Sequence, residues 1–167
     1  MAHRFAEIAF TDTVKALQEE HGSRAGYERM ERSADADGTL GDRERQFIAA
    51  RDSFYMASVG ETGWPYIQHR GGPKGFLRVL DDRTLGFADF RGNLQYVSAG
   101  NFQGNDRVAL LLMDYPNRRR LKILGRVRAL DATKAPEPVA MLAPAGYPAQ
   151  VERAIVIRVE AFDWNCP

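Results

Sequence analysis

Hydrophobic and polar positions change their spacing along this chain, and the change divides it. In the first fifty residues the spacing is helical: Val14 and Leu17 share a face in a segment that Thr11 or Asp12 can cap and Gly22 stops. A polar stretch from Ser33 to Gly38 follows. Leu40, Phe47 and Ile48 then recur at i, i+7 and i+8, which predicts a second helix with Asp42 as its cap. Residues 1–50 therefore read as a helical arm lying on whatever the remainder builds.

From Ser53 onward the runs are short and separated by turn residues, the pattern of a meander or barrel. Strands are predicted at Tyr55 to Val59, Trp64 to Arg70, Phe76 to Leu80 and Thr84 to Phe90, with antiparallel pairing in sequence order. Leu94 to Ala99 suits a short helix ending near Gly100, and Val108 to Met113 is a continuous apolar run suited to a central strand. The clearest strand has Leu121, Ile123, Gly125, Val127 and Ala129 alternating with Lys122, Leu124, Arg126, Arg128 and Leu130, so that one face is strongly basic. Prolines break up the next segment, which retains a one-turn helix at Val139 to Leu142, before a final strand from Ala154 to Ala161. The expectation is one domain over residues 1–167, mainly β (α+β), with the barrel over 51–167.

Composition narrows the function classes more than it names one. With 167 residues, 44% hydrophobic and 27% charged, the chain can bury one core as an ordinary globular protein. A net charge of +1 gives no bulk reason to expect a nucleic acid or an anionic membrane, so any anion must be caught locally. The single cysteine, Cys166, excludes an intramolecular disulfide or a cysteine-based metal cluster. The first residues lack an apolar signal region, and no run of about 18 apolar residues occurs, so a cytoplasmic location is expected. Neither a G-x-S-x-G elbow nor a Walker-type loop is present, and His3, His21 and His69 lack zinc-ligand spacing; no metal is expected.

Three stretches could carry chemistry. In Pro65 to Gly72, Gln68 and Arg70 project with Tyr66 while His69 joins Ile67, so polar groups occupy both faces where a strand ends. Gly71 and Gly72 would let a ligand approach the backbone, and Arg70 could grip a phosphate. A glycine hairpin with a solvated arginine and a structural histidine accounts for the same residues. In Phe87 to Asn93 a strand runs into a turn and a helix start, where Arg91 and Asn93 could join free N–H groups around a phosphate or a carbonyl-rich ring. Simple capping by Asn93 or Asp89 is the competing account. The basic run Asn117 to Arg120, continued by Lys122, Arg126 and Arg128, reads chiefly as a solvated face, with Arg120 or Arg119 able to reach an anion held by Arg70. Met113 to Pro116 reads as a turn rather than as a catalytic carboxylate.

Taken in order, Ser53 to Ser58, Gln68 to Gly72, Asp89 to Asn93 and Leu121 to Gly125 resemble the pyridoxamine 5′-phosphate oxidase-like flavin-binding proteins over residues 45–164. That resemblance implies a six-stranded antiparallel split β-barrel with flanking helices, forming a homodimer with FMN between the subunits. It implies cofactor contacts from Gln68, His69, Arg70 and Gly71, from Asp89, Phe90, Arg91, Gly92 and Asn93, and from Arg120. Trp164 falls where the true oxidases place a tryptophan near the isoalloxazine, contributed by the partner subunit. The serine-arginine-lysine turn of the family is absent here, leaving Arg70, Arg91 and Arg120 for the phosphate. The arginine-containing C-terminal segment that acts on pyridoxal phosphate is also expected to be missing. An FMN-dependent oxidoreductase acting on a small molecule or a reductant such as NADPH is the implied function. A flavin- or haem-binding storage or sensing module, with His69 or His21 as haem ligand, and a structural dimer with an empty cleft are the alternatives.

Overall fold

The computed structural model describes residues 3–32 and 38–165; Cys166 and most of the polar stretch after Arg32 lie outside the described residues. Four short helices come first: α1 (Arg4–Ala9), α2 (Asp12–Glu20), α3 (Arg24–Glu31) and α4 (Asp42–Ala49). After them run β1 (Ser53–Val59), β2 (Pro65–Gly71), β3 (Arg78–Val79), β4 (Thr84–Phe90), α5 (Val97–Gly104), β5 (Arg107–Asp114), β6 (Arg119–Asp131), α6 (Pro136–Leu142) and β7 (Val151–Asn165).

The arm is more broken up than its spacing suggests. Thr11 caps α2 as expected, its hydroxyl accepting from the Val14 N–H at 3.4 Å. The short helices α1 and α3 are held by tertiary contacts: Phe10 meets Tyr27 edge-on at 5.2 Å, and the His3 N–H donates to the Glu31 carbonyl at 3.0 Å. In α4, Asp42 lies in the first turn rather than at the cap. Gly41 occupies the cap because the Glu44 carboxylate reaches back to accept its N–H at 3.0 Å. Leu40, Phe47 and Ile48 are buried together, as their spacing requires.

Inward-facing residues of the strands meet in one antiparallel sheet of order β2-β1-β5-β6-β7-β4-β3. Seven strands form it rather than the six the resemblance implies, the seventh being the two-residue β3, which is all that the Phe76 to Leu80 run supplies and which pairs with Leu85 and Gly86. Phe76 and Leu77 leave the ladder because their side chains plug the core. The four early strands pair as two separate hairpin-like units, and β2 and β3 end up as opposite edges of the sheet. The sheet curls until its ends face each other: Phe54 of β1 meets Phe87 of β4 edge-on at 5.3 Å and stacks with Phe76 at 5.6 Å. On the outside of β4, α6 seals Ala88 and Ala154 with Val139 and Leu142, so β4 is buried on both faces. The final strand is longer than expected because β7 pairs with β6 along nearly its whole length.

That long pairing carries a register shift between Leu124 and Gly125. A Cβ at Gly125 would stand 2.7 Å from the Arg158 carbonyl and from Ile157 Cγ2, so the close approach of the two strands requires glycine there. Gly125→Ala is expected to lower stability by about 1–3 kcal/mol, the usual range for forcing volume into a packed site. Urea unfolding followed by far-UV circular dichroism measures it; a midpoint equal to that of the parent would show that the bulge can widen without loss.

Candidate functional site

Alternation along β2 places Tyr66, Gln68 and Arg70 half-buried on the inner face, while Ile67 and His69 are exposed on the outer one. Arg70 stands opposite buried Phe54, which fixes its direction toward the seam between the sheet's two ends. Across the seam Asp89 is buried at the end of β4, where the pairing with β7 shifts register. The Arg70 Nη1 donates to Asp89 Oδ1 at 2.6 Å, and Arg153 Nε lies 3.1 Å from Asp89 Oδ2. Arg153 donates in turn to Glu152 at 2.5 Å and lies over the Tyr96 ring, whose hydroxyl donates to Glu152 at 3.3 Å. Tyr66 donates to Gln68 Oε1 at 3.0 Å, and Ser98 approaches the same oxygen at 3.5 Å.

The far wall is the turn from Gly92 to Tyr96. Asn93 Oδ1 accepts the Gln95 N–H at 3.2 Å, an Asx-type turn. Leu94 and Tyr96 adopt left-handed backbone conformations at φ 63° and 55°, which costs of order 1–3 kcal/mol per residue. These two residues end any helix before it begins, so the expected helix at Leu94 to Ala99 is displaced to α5 and Gly100 lies inside it. Neither Asn93 nor Asp89 caps α5; its N-cap is Tyr96, without a side-chain hydrogen bond. The first-turn N–H groups thus lack a side-chain partner at the cavity wall.

A cavity of about 290 Å³ lies among these elements, lined by Gln68, Arg70, Asp89, Asn93, Tyr96 and Arg153 among others. A smaller one of about 170 Å³ adjoins it, lined by His69, Gly71, Arg91 and the shared residues Arg70, Asp89 and Phe90. Gly92 borders both, and a Cβ there would meet nothing within 4 Å. Every candidate from Gln68 to Gly71 and from Asp89 to Asn93 therefore reaches one of the two cavities. Gly72 does not serve ligand approach, because a Cβ there would strike the Phe76 ring at 2.7 Å. Arg120 and Trp164 are elsewhere: Trp164 is paired with Leu121, and its indole N–H donates to Glu44 at 2.7 Å. About eleven residues of β7 separate it from Arg153, roughly 36 Å of extended strand. Sequence reasoning missed Glu152 and Arg153, since the last strand was expected to begin just after them. An acidic-basic pair opening an apolar strand was the available signal. The Asp114 carboxylate is structural, as expected: buried, it accepts from Asn117 at 2.9 Å and Arg119 at 3.1 Å.

Burial pushes the Asp89 carboxyl above the usual carboxylate range, against the opposing pull of Arg70 and Arg153. With the folded value raised, Asp89's contribution to stability is complete below the ordinary carboxylate range and is lost as pH climbs through the raised midpoint. Carboxyl-carbon NMR titration is expected to place Asp89 above the exposed aspartates, and Arg70→Gln to move it higher still. A lower midpoint in that variant would mean that Arg70 does not stabilise the charged form.

Comparison with known proteins bears on the fold and the family. The family model described as pyridoxamine 5′-phosphate oxidase matches residues 40–164. No curated protein matches the chain. Among solved structures, HupZ of Group A Streptococcus superposes with a TM-score of 0.58 at 16% identity, over 74% of this chain and 92% of that one. An FMN-binding protein from Syntrophomonas wolfei gives 0.56 at 14%, over 90% and 98%. A protein of Clostridium acetobutylicum related to general stress protein 26 gives 0.54 at 13%, over 74% and 86%. At these identities the structures establish a shared fold, the split barrel with flanking helices. Because the family model spans well over half of the sequence, from Leu40 through the last strand, the chain belongs to the pyridoxamine 5′-phosphate oxidase family.

Proposed function

We propose that this protein binds FMN in the cleft between β2, β4 and the first turn of α5, and that it serves as an FMN-dependent oxidoreductase. The observation that carries the reading is Arg70. It lines both cavities, commits Nη1 to Asp89, and keeps a buried Nε with no hydrogen-bond partner. Such an atom beside a cavity marks a place where an acceptor is wanted. A phosphate there would share the guanidinium with Asp89 and take further N–H groups from the uncapped start of α5.

The rest of the cleft suits a flavin. Gln68 and Asn93 offer amides to the ring's polar edge, while Tyr66, Phe90 and Tyr96 supply aromatic walls. Asp89 and Glu152 are balanced by Arg70 and Arg153, so the cleft itself carries no excess charge before Arg91 is counted at its rim. Bound FMN would supply the two-electron chemistry that none of these side chains provides. The Syntrophomonas protein, named as FMN-binding, supports the choice of cofactor. A reductant such as NADPH, or a small-molecule substrate, would meet the flavin at the open side of the cleft.

A homodimer belongs to the same proposal. Ile67, Ala57, Ala109 and Leu124 form one row across the outer face of β2, β1, β5 and β6, with Tyr55 and Leu111 in the next. Ile67 is 63% exposed. This apolar patch, with His69 and Lys122 at the two ends of its second row, is suited to a second copy of the chain. Among the described residues no helix is long and apolar enough to cross a membrane. A cytoplasmic location is part of the proposal.

Absorbance spectra before and after adding FMN and removing the excess test the cofactor. Flavin bands are expected to remain with the protein, and Arg70→Ala to weaken binding about 10- to 150-fold, the equivalent of ~1.5–3 kcal/mol. Asn93→Ala is expected to cost less; unchanged affinity in Arg70→Ala would place the phosphate elsewhere. Sedimentation of the loaded protein is expected to give twice the 18.7 kDa protomer mass, and Leu111→Arg to shift it toward monomer. A flavin-loaded monomer would refute the shared cleft.

A further inference from the structure

At the seam, two guanidiniums divide the oxygens of one buried carboxylate. Arg70 Nη1 serves Asp89 Oδ1 at 2.6 Å, and Arg153 Nε lies 3.1 Å from Oδ2. A phosphate that takes Arg70 therefore removes the donor from Oδ1 and sets a second anion beside Asp89. The wall has no spare charge to answer it, since Asp89 and Glu152 already balance Arg70 and Arg153. Two anions held against each other in a buried site do not both stay fully ionised; one takes up a proton.

The surrounding groups identify which one. Glu152 accepts from Arg153 at 2.5 Å and from the Tyr96 hydroxyl at 3.3 Å, with Arg91 3.9 Å away, so it keeps its donors when Arg70 is drawn off. His69 leaves β2 on the outer face, where its ring lies 5.5 Å from that of Tyr55, and the Tyr66 hydroxyl is engaged with Gln68 at 3.0 Å. Asp89 is the group that loses a partner, and burial already pushes its carboxyl above the usual carboxylate range. Once neutral, it keeps Arg153 as donor to Oδ2, and its own O–H becomes a donor where the carboxylate could only repel. A carboxylate inside the lining is particular to the seam. A cavity of about 360 Å³ beside α4 is lined by Arg43, Arg51 and Arg119 but by no acid; Glu44 and Asp114, which hold the Trp164 indole N–H and the Arg119 guanidinium, sit behind its wall.

We propose that Asp89 is a proton-taking gate on the anion site: on cofactor binding, Arg70 passes from the Asp89 carboxylate to the phosphate, and Asp89 Oδ1 takes a proton from solvent in place of the lost donor. The inference rests on the FMN reading and adds to it a linkage between cofactor affinity and pH. Affinity falls as pH rises through the Asp89 midpoint, because the ionised carboxylate then holds Arg70 against the phosphate.

Carboxyl-carbon NMR titration of the full chain tests this at the residue itself. Saturating FMN is expected to raise the Asp89 midpoint by at least about one pH unit over the flavin-free protein, the equivalent of a tenfold change in affinity. Riboflavin, which lacks the phosphate, is expected to raise it less. An unmoved or lowered midpoint with FMN bound, or an equal rise with riboflavin, would overturn the proposal. Calorimetry on Asp89→Asn gives an independent measure: the variant is expected to bind FMN at least about tenfold tighter than the parent above the Asp89 midpoint and equally below it. The ionisation of the phosphate itself cancels in that comparison. A parent-to-variant ratio that stays constant with pH would remove the gate and leave the flavin reading standing, whereas a chain that binds no FMN at any pH refutes both. The titration on the parent chain needs no variant, so a failure of Asp89→Asn to fold, checked by circular dichroism, leaves the proposal open to refutation.

Discussion

The fold turns on how a sheet that runs out of backbone partners closes. Strands β2 and β3 are edges, and no ladder joins them. The gap beside β4 is spanned instead by the 2.6 Å contact from Arg70 to Asp89, with Arg153 holding the second carboxylate oxygen. Beneath it the rings of Phe54, Phe76 and Phe87 fill the space that a closed barrel would give to its innermost layer. Hydrophobic packing draws the sheet's ends together, and the ionic seam decides how they register.

A buried ion pair is a poor choice for stability alone, since desolvating two charges offsets most of their attraction. The raised titration of Asp89 is the local sign of that cost. Two left-handed residues, Leu94 and Tyr96, add backbone strain at the same place. Costs gathered at one edge of an otherwise well-packed sheet suit a seam that serves binding rather than rigidity. The same guanidinium closes the barrel and borders its cavity, so closure and the proposed FMN binding draw on one set of donors.

Much of this was legible in the sequence, and the failures have definite causes. Period-two alternation located β6, and the run Thr84 to Phe90 coincides with β4. The side assignments of Tyr66, Gln68 and Arg70 followed from alternation and hold in the structure. What could not be read was which strand lies beside which: β2 and β3 are close in sequence yet at opposite sheet edges, and that order comes from long-range pairing through β5, β6 and β7. For the same reason Glu152 and Arg153 went unnoticed, because only the register of β4 on β7 sets Arg153 against Asp89. The helix after Asn93 was misplaced because positive φ at Leu94 and Tyr96 is a tertiary outcome that neither residue's propensity announces. Near-neutral net charge told little, since it averages over the clusters that matter.

Those clusters differ in how their charge is answered. At the seam, Arg70 and Arg153 both face Asp89, so an anion arriving there would share Arg70 with that carboxylate. Discrimination there would fall to shape and to neutral donors, in keeping with the proposed FMN. Beside α4 the carboxylates sit behind the wall and the guanidiniums lie on ring faces, leaving positive charge directed outward over an apolar floor. Opposite placement of the acids, beside the arginines in one cavity and behind them in the other, gives one barrel two unlike electrostatic environments at a net charge of +1.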